Sequence, residues 1–457
     1  MPVAEYTLEP YHAIVSHETI ASPFPETDAT PYPVRATIDW QRHPALVIES
    51  DDWGACESAR HAADASALRR KLEPLGFPID RLHNTLESPA DLDALYNVLA
   101  SVTGRDGQPA VMTGFVCLGN PDYDAIRAAD FRAYHDIGLD EGVPIGWERG
   151  DIVGAMRRGM HRGVFVPEFH AGLHHTSPTL WLELLRCGSV EGRIARILFD
   201  HGCYAQPAHL PEYHRMSARQ QRDWVQRALD RFRRAFGVSP AAAVTSDATP
   251  VTEVVWSLAG MEVFCLKNAR LHDGSVVIYD TKPWNAQDAR CPMGGSNPEL
   301  EMVYLSRNVH ADGAAFRNAP DEAAPLVAAI HACWRRDEPA VMNTHRNNYV
   351  SLDAQRAQAG RRMLGDVLER LVTEAPNVCF LTTHELAQLY RQGYSVRRVG
   401  EECVVRQWSP EPLTIRLPGP VHHVQALPDQ RHLPDQHVRH DGDAAMLTLP
   451  EGDYRVQ

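Results

Sequence analysis

Three short stretches of this chain combine residue types that can hold an ion and move protons. The first, ESDDWG, puts Asp51 and Asp52 side by side directly after the apolar run ALVIES at 45–50. Neighbouring side chains on an extended backbone point in opposite directions, so one carboxylate can bind a cation while the other takes a proton. The plainer alternative is that one caps the following turn and the other is solvated. The second, EFHAGLHHTSPTLWLELL, spaces His170 and His174 four residues apart. On a helical or turned segment both imidazoles face the same side and can grip one ion. A carboxylate from elsewhere then makes a three-ligand site with open positions, the catalytic rather than the structural arrangement. His175 points away on that geometry, and a chain with 23 His also offers such pairs by chance. The third, VMNTHRNNY, leaves His345 at the end of a late apolar run. A histidine not needed by the ion suits a general acid, because its ordinary pKa is about 6.5. The alternative is a core histidine bonded to a backbone carbonyl.

Other residues are candidates through their positions. Asp247 in TSDATP orients a catalytic group or caps the helix that starts near Pro250. Arg307, followed by Asn308 in LSRN, clamps a substrate or pairs with one of the acidic residues. Trp284 in KPWN and Trp53 stack on a flat ring face such as a sugar's, or simply pack,. Glu87 in NTLESPADL is a further carboxylate of the same kind.

These residues need a scaffold that brings distant segments together. Eight short apolar runs recur along the chain: ALVIES (45–50), AVMTGFVCL (110–118), GVFVPEF (163–169), AAAVTS (241–246), MEVFCL (261–266), EMVYLS (301–306), PAVMNT (339–344) and VCFLTT (378–383). Each has the length of a buried strand. Between them lie amphipathic stretches of helical length, among them 177–188, 217–237, 321–337 and 353–376, which open with Ser or Asp as N-caps,. Gly188 and Gly237 are the expected C-caps of the first two,. Alternating strands and helices imply parallel strands with right-handed crossovers. Seven or eight of them point to an α/β fold with a closed or nearly closed barrel, with a doubly wound open sheet as the alternative. In a barrel all strand C-termini share one face, and the candidate residues sit just after the strands.

The expected organisation is an extended, proline-rich arm at 1–40, a barrel at 41–394 and a small β-rich module at 395–457, where short alternating runs replace the earlier pattern,. The histidines of that last segment (His422, His423, His432, His437, His440) read as a solvated turn region rather than a metal tract,.

Composition excludes several classes. With 457 residues, 44% hydrophobic and 23% charged, the chain is neither disordered nor fibrous,. Its net charge of −14, with no basic block, disfavours nucleic acid and anionic membrane as partners,. It has no apolar run of about 20 residues and no basic-then-apolar N-terminal pattern, so the expectation is a cytoplasmic protein with no membrane partner,. Nine scattered Cys without a C-x-x-C fit reduced thiols,.

Taken in order, Asp51-Asp52, His170-A-G-L-His174 and T-His345 resemble the polysaccharide deacetylase family, carbohydrate esterase family four, over roughly residues 45–392. FHAGLHHTSPTLWLELL is similar to that family's second motif, and FLTTHELAQLY to its C-terminal helix. The resemblance implies a distorted (β/α) barrel of seven or eight parallel strands and a metal-dependent hydrolase that removes acetyl groups from an N- or O-acetylated carbohydrate. It implies that Asp52, His170 and His174 hold a divalent metal, with zinc the default for two His and one Asp and cobalt, nickel or manganese also suited. Asp51 would then deprotonate the attacking water and His345 protonate the departing group. Arg307, Trp284 and Asp247 are the expected contacts to the carbohydrate. Two departures stand out: the stretch VSPAAAVTSDATP lacks the Arg that the family places beside its catalytic Asp, and about 120 residues separate the first strand from the histidines,. Arg307 from a neighbouring strand is the candidate replacement. The competing readings are a catalytically degenerate barrel that binds or assembles carbohydrate, and a metal amidohydrolase acting on a non-sugar amide. The sequence leaves the oligomeric state open.

Overall fold

The computed structural model describes residues 33–457 apart from 175, 206–211, 246–249, 267–268, 271–275, 278–292, 312–320, 322, 401, 428, 435–436 and 442–443. All eight apolar runs are strands. They are β1 (Ala45–Trp53), β2 (Met112–Cys117), β3 (Phe165–Ala171), β4 (Ala242–Val244), β5 (Val263–Leu266), β6 (Met302–Ser306), β8 (Ala340–His345) and β9 (Cys379–Leu381), with a short β7 (Val309–His310) between β6 and β8. The sheet runs β6-β5-β4-β3-β2-β1-β8-β7 with parallel neighbours. β9 lies parallel to the start of β1, and Ser296–Asn297 adds an antiparallel piece beside β6.

Burial on both faces explains why these strands are apolar throughout rather than alternating. One face, with Leu46, Ile48, Met112, Phe165 and Met342, packs in the larger core with the helices. The other, with Val47, Phe115, Val244, Val263, Val303 and Val341, forms a second core that also takes in Trp40, Tyr390 and Trp408. The sheet curls strongly about this second core. Glu49 on β1 and Cys265 on β5 are four strands apart, about 19 Å in a flat sheet at roughly 4.8 Å per strand, yet Cys265 Sγ is 3.7 Å from Glu49 Oε1. Only Arg307 and Asn308 separate β6 from β7. One run of chain therefore pairs with β5 at its start and with β8 at its end. Asn308 seals the join: its N–H donates to Val341 O at 3.1 Å and its Oδ1 accepts from Val341 N at 2.8 Å.

The helix signals hold with one exception. Ser177, Ser217 and Asp353 cap their helices, Asp321 accepts from Ala324 N, and Gly237 takes the left-handed C-cap conformation. Gly188 does not cap, because the first of these helices ends at Arg186 and Cys187 is extended. The chain needs that extended link to reach the next helix, Val190–Asp200, capped by Ser189.

Beyond Gly393 the chain forms a five-stranded antiparallel sheet that begins with Tyr394–Val399 and Glu402–Gln407. A three-stranded sheet contains Leu413–Pro418 and Ala444–Leu449, and the two share an apolar cluster. Of the histidines there, His437 is half-buried and the other four are exposed. Charge fastens this part to the main sheet. Arg406 is fully buried and donates to both Asp106 and Glu385, which are each 1% exposed. Arg105 Nε bonds Asp453 at 2.8 Å, and Trp408 Nε1 bonds the other oxygen of that carboxylate at 2.7 Å. Arg406→Met leaves Asp106 buried without its ion-pair partner and Glu385 with Arg397 alone, 3.6 Å away, and is expected to cost about 3–5 kcal/mol,. Urea denaturation reads this directly, and an unchanged midpoint would refute it. Among the described residues, no helix is long and apolar enough to cross a membrane.

Candidate metal centre

Two irregularities in the parallel strands aim the candidate ligands. The register between β1 and β2 shifts between Ser50 and Trp53, and Asp52 there adopts a left-handed backbone with φ of +75°. The register between β2 and β3 shifts after Val116, which pairs with Phe169 while Cys117 pairs with Ala171, so His170 is the extra residue. Such bulges re-aim a side chain, and a left-handed conformation is tolerated by Asp better than by most residues. The irregularity at Asp52, rather than the simple alternation of an extended strand, sends the Asp51 and Asp52 side chains to different partners.

The result is compact. His170 Nε2 lies 3.4 Å and His174 Nε2 2.9 Å from Asp52 Oδ1, and the three candidate ligand atoms all fall within 4.8 Å of one another. The two imidazole planes are nearly perpendicular, with centroids 4.9 Å apart. His170 belongs to β3, and His174 lies in the turn beyond it, ahead of the helix that starts at Pro178. Two imidazoles and a carboxylate oxygen this close form a donor set that fits a divalent ion with positions left open. Electrostatics agree. Burial pushes the Asp52 carboxyl up, but His174, His345 and His170 outweigh it and hold the group well below the usual carboxylate range. Burial also works against charge on His174, yet Asp52 and Glu57 raise it to about 10. The carboxylates that favour a proton there favour any cation there.

Asp51 is fully buried and pairs in register with His345 across β1 and β8. Arg307 grips it with both terminal nitrogens, each at 2.7 Å, and also bonds Glu49 through Nε and Asn343 at 2.6 Å. Burial raises the Asp51 carboxyl, and Arg307, His345 and His170 together hold it far below its ordinary value. His345 Nε2 stands 3.8 Å from Asp51 Oδ2 with its side chain 24% exposed.

The loop after β1 is fixed from three sides. Glu87 accepts from Gly54 N at 2.8 Å and from Arg346, while Arg346 also donates to Ala55 O at 2.7 Å. Asn120 accepts from Cys56 N and donates to Gly54 O. Gly54 is required, since its φ is +81° and a Cβ would lie 2.8 Å from Cys117 O,. The turn between the two histidines is held by Glu212, whose Oε1 accepts from Gly172 N, Leu173 N and Trp224 Nε1. Burial pushes that carboxyl up to about 7.

The structure thus brings together Asp51, Asp52, His170, His174, His345 and Arg307. Arg307 is 1% exposed and committed to protein carboxylates, so its geometry fits the pairing role and not a substrate clamp. Trp53 is fully buried against the edge of Phe165 and is a packing residue. Asp247, Trp284 and His175 lie outside the described residues. Glu49, Glu57, Glu212 and Arg346 escaped the sequence reading. Glu49 alone carried a signal, a carboxylate directly after the apolar residues ALVI of a buried strand, which requires a buried partner,.

No family model matches the chain, and no curated protein matches it in sequence. Among solved structures it is similar to a protein assigned as a polysaccharide deacetylase from Mycobacterium smegmatis, with a TM-score of 0.37 and 12% identity over 79% of this chain and 95% of that one. A peptidoglycan N-acetylglucosamine deacetylase gives a TM-score of 0.30 and 9% identity over 78% and 91%. A branching enzyme from Thermococcus kodakaraensis gives 0.36 and 12% over 77% and 71%. Scores of this size leave the reading of the site to its own residues.

Proposed function

We propose that this chain is a metal-dependent hydrolase that removes acetyl groups from an N- or O-acetylated carbohydrate. The reading includes a distorted barrel of seven parallel strands closed at Arg307–Asn308, with β9 as an eighth strand beside β1 and residues 395–457 as a separate module. The observation that carries it is the meeting of Asp52, His170 and His174, next to the Asp51–His345 pair, at the C-terminal ends of parallel strands,. A divalent ion held there, zinc by default, would polarise an acetyl carbonyl and acidify a water. The chain's own groups supply the rest.

Arg307, His345 and His170 hold the Asp51 carboxyl below the ordinary carboxylate range, which keeps it in the ionised form that a proton acceptor needs,. The planar fork of Arg307 fixes the direction in which Asp51 accepts a proton,. His345 is close enough to Asp51 to be oriented by it and open enough to meet substrate, which suits it to protonate the departing amine or alkoxide,. Acetate release from N-acetylated and O-acetylated sugars, run beside simple acyl amides, tests the reading. Release from the sugars is expected, and Asp51→Asn should lower it by about 10²- to 10⁴-fold while fold and metal content are retained. A fully active Asp51→Asn chain overturns the mechanism, and release from the simple amides alone overturns the substrate class.

A further inference from the structure

The imidazole of His174 is bracketed by carboxylates on both of its ring nitrogens. Nε2 faces Asp52 Oδ1 at 2.9 Å, and Nδ1 meets Glu57 Oε1 on the opposite side. Glu57 is held in place independently of that contact. Its carbonyl accepts from Tyr204 N at 2.9 Å and Ala205 N at 3.0 Å, and the preceding N–H, that of Cys56, is tied to Asn120. Its side chain is only 15% exposed. Because Asp52 and Glu57 lie on opposite edges of one ring, no single ion position on the Nε2 side is served directly by Glu57.

We propose that Glu57 is a positioning residue of the metal centre. Its carboxylate accepts the Nδ1–H of His174, fixes the tautomer that turns the Nε2 lone pair toward Asp52 and His170, and makes that nitrogen a better donor. It also sets a second negative charge, after Asp52, beside the ion. A carboxylate behind a ligating histidine typically raises affinity by about 10- to 100-fold. The inference rests on the metal-centre part of the proposed function and is independent of the substrate.

The test is the zinc affinity of the full chain and of its Glu57→Gln, Glu57→Asp and Glu57→Ala variants, measured by competition with a chromophoric chelator. Urea midpoints are recorded on the metal-free proteins, and absorption spectra on the cobalt-loaded ones. Glu57→Gln can still accept from Nδ1 but lacks the charge. It is expected to lose about tenfold in affinity, and Glu57→Ala up to about a hundredfold, with Glu57→Asp recovering part of the loss. The cobalt spectrum should shift in Glu57→Ala while the metal-free variant, though it loses an ion-pair partner of His174, still unfolds cooperatively, a combination that a purely structural role would not give,. Affinities of Glu57→Gln and Glu57→Ala within twofold of a metal-binding parent overturn the role of Glu57 alone. A parent that binds neither zinc nor cobalt overturns the metal centre itself, and this role with it. A parent whose zinc affinity depends on Glu57 but which releases no acetate refutes only the proposed reaction.

Discussion

His170→Ala and His174→Ala, each made singly, are expected to lose at least about a hundredfold in zinc affinity, more than a missing supporting carboxylate costs. Purified parent chain should carry close to one equivalent of divalent metal by elemental mass spectrometry, and both variants almost none. The size of the effect follows from the geometry. Three ligand atoms within 4.8 Å of one another form the minimum that closes around an ion while leaving positions for water and substrate, and two are insufficient,. The two variants should differ in what they leave behind. His170 is 1% exposed, so its removal also opens a hole in a buried wall,. Removing His174 leaves Asp52 and Glu57 without the imidazole between them. Far-UV circular dichroism and a urea midpoint on each metal-free variant separate loss of the site from loss of the fold. Retention of a full equivalent in both variants would mean that the ion sits elsewhere.

How much of this was legible in the sequence depends on the length scale of each signal. The eight strands were readable because parallel strands buried on both faces must be apolar without interruption, as in ALVIES and PAVMNT,. The caps at Ser177, Ser217 and Asp353 were readable because a side-chain oxygen satisfies an N–H only three residues away,. The pairing of His170 with His174 and the place of Asp51 and Asp52 after an apolar run could be read from the chain, and the family resemblance singled out Asp52 as their partner, but the aim of the three side chains could not be read. The left-handed backbone at Asp52 and the extra residue at His170 are properties of the pairing between strands, set by Trp53 with Val116 and by Cys117 with Ala171. Glu57 has no local mark at all, since its role depends on a turn more than a hundred residues later. The bend at Arg307–Asn308 was hidden for a related reason: LSRN looks like the end of one strand, and only the pairing of Val309 with Met342 shows that the chain goes on to β8.

Arg307→Met is expected to be the most destabilising single change in the core of the sheet, costing at least about 3–5 kcal/mol. Glu49 and Asp51 are both fully buried and both depend on this guanidinium. Removing it takes the guanidinium from both buried carboxylates and leaves Asp51 with only its nearby histidines, in a cluster that also holds Cys265 and Thr383 against Glu49. A urea midpoint unchanged from the parent would refute the assignment. Arg307→Lys separates charge from shape. An ammonium restores one positive charge and should recover part of the lost stability, but it cannot reproduce the two parallel bonds to Asp51 while also reaching Glu49 and Asn343,. If Arg307 acts by aiming Asp51, the lysine chain should fold and bind metal yet stay deficient in acetate release. If the guanidinium serves only as a counter-charge in the core, stability and turnover should recover together. The position of Arg307 makes the first outcome the expected one. It lies where the chain leaves β6 for β7, which pairs with β8, so the residue that joins the two ends of the sheet is also the one that grips the carboxylate beside the candidate metal site.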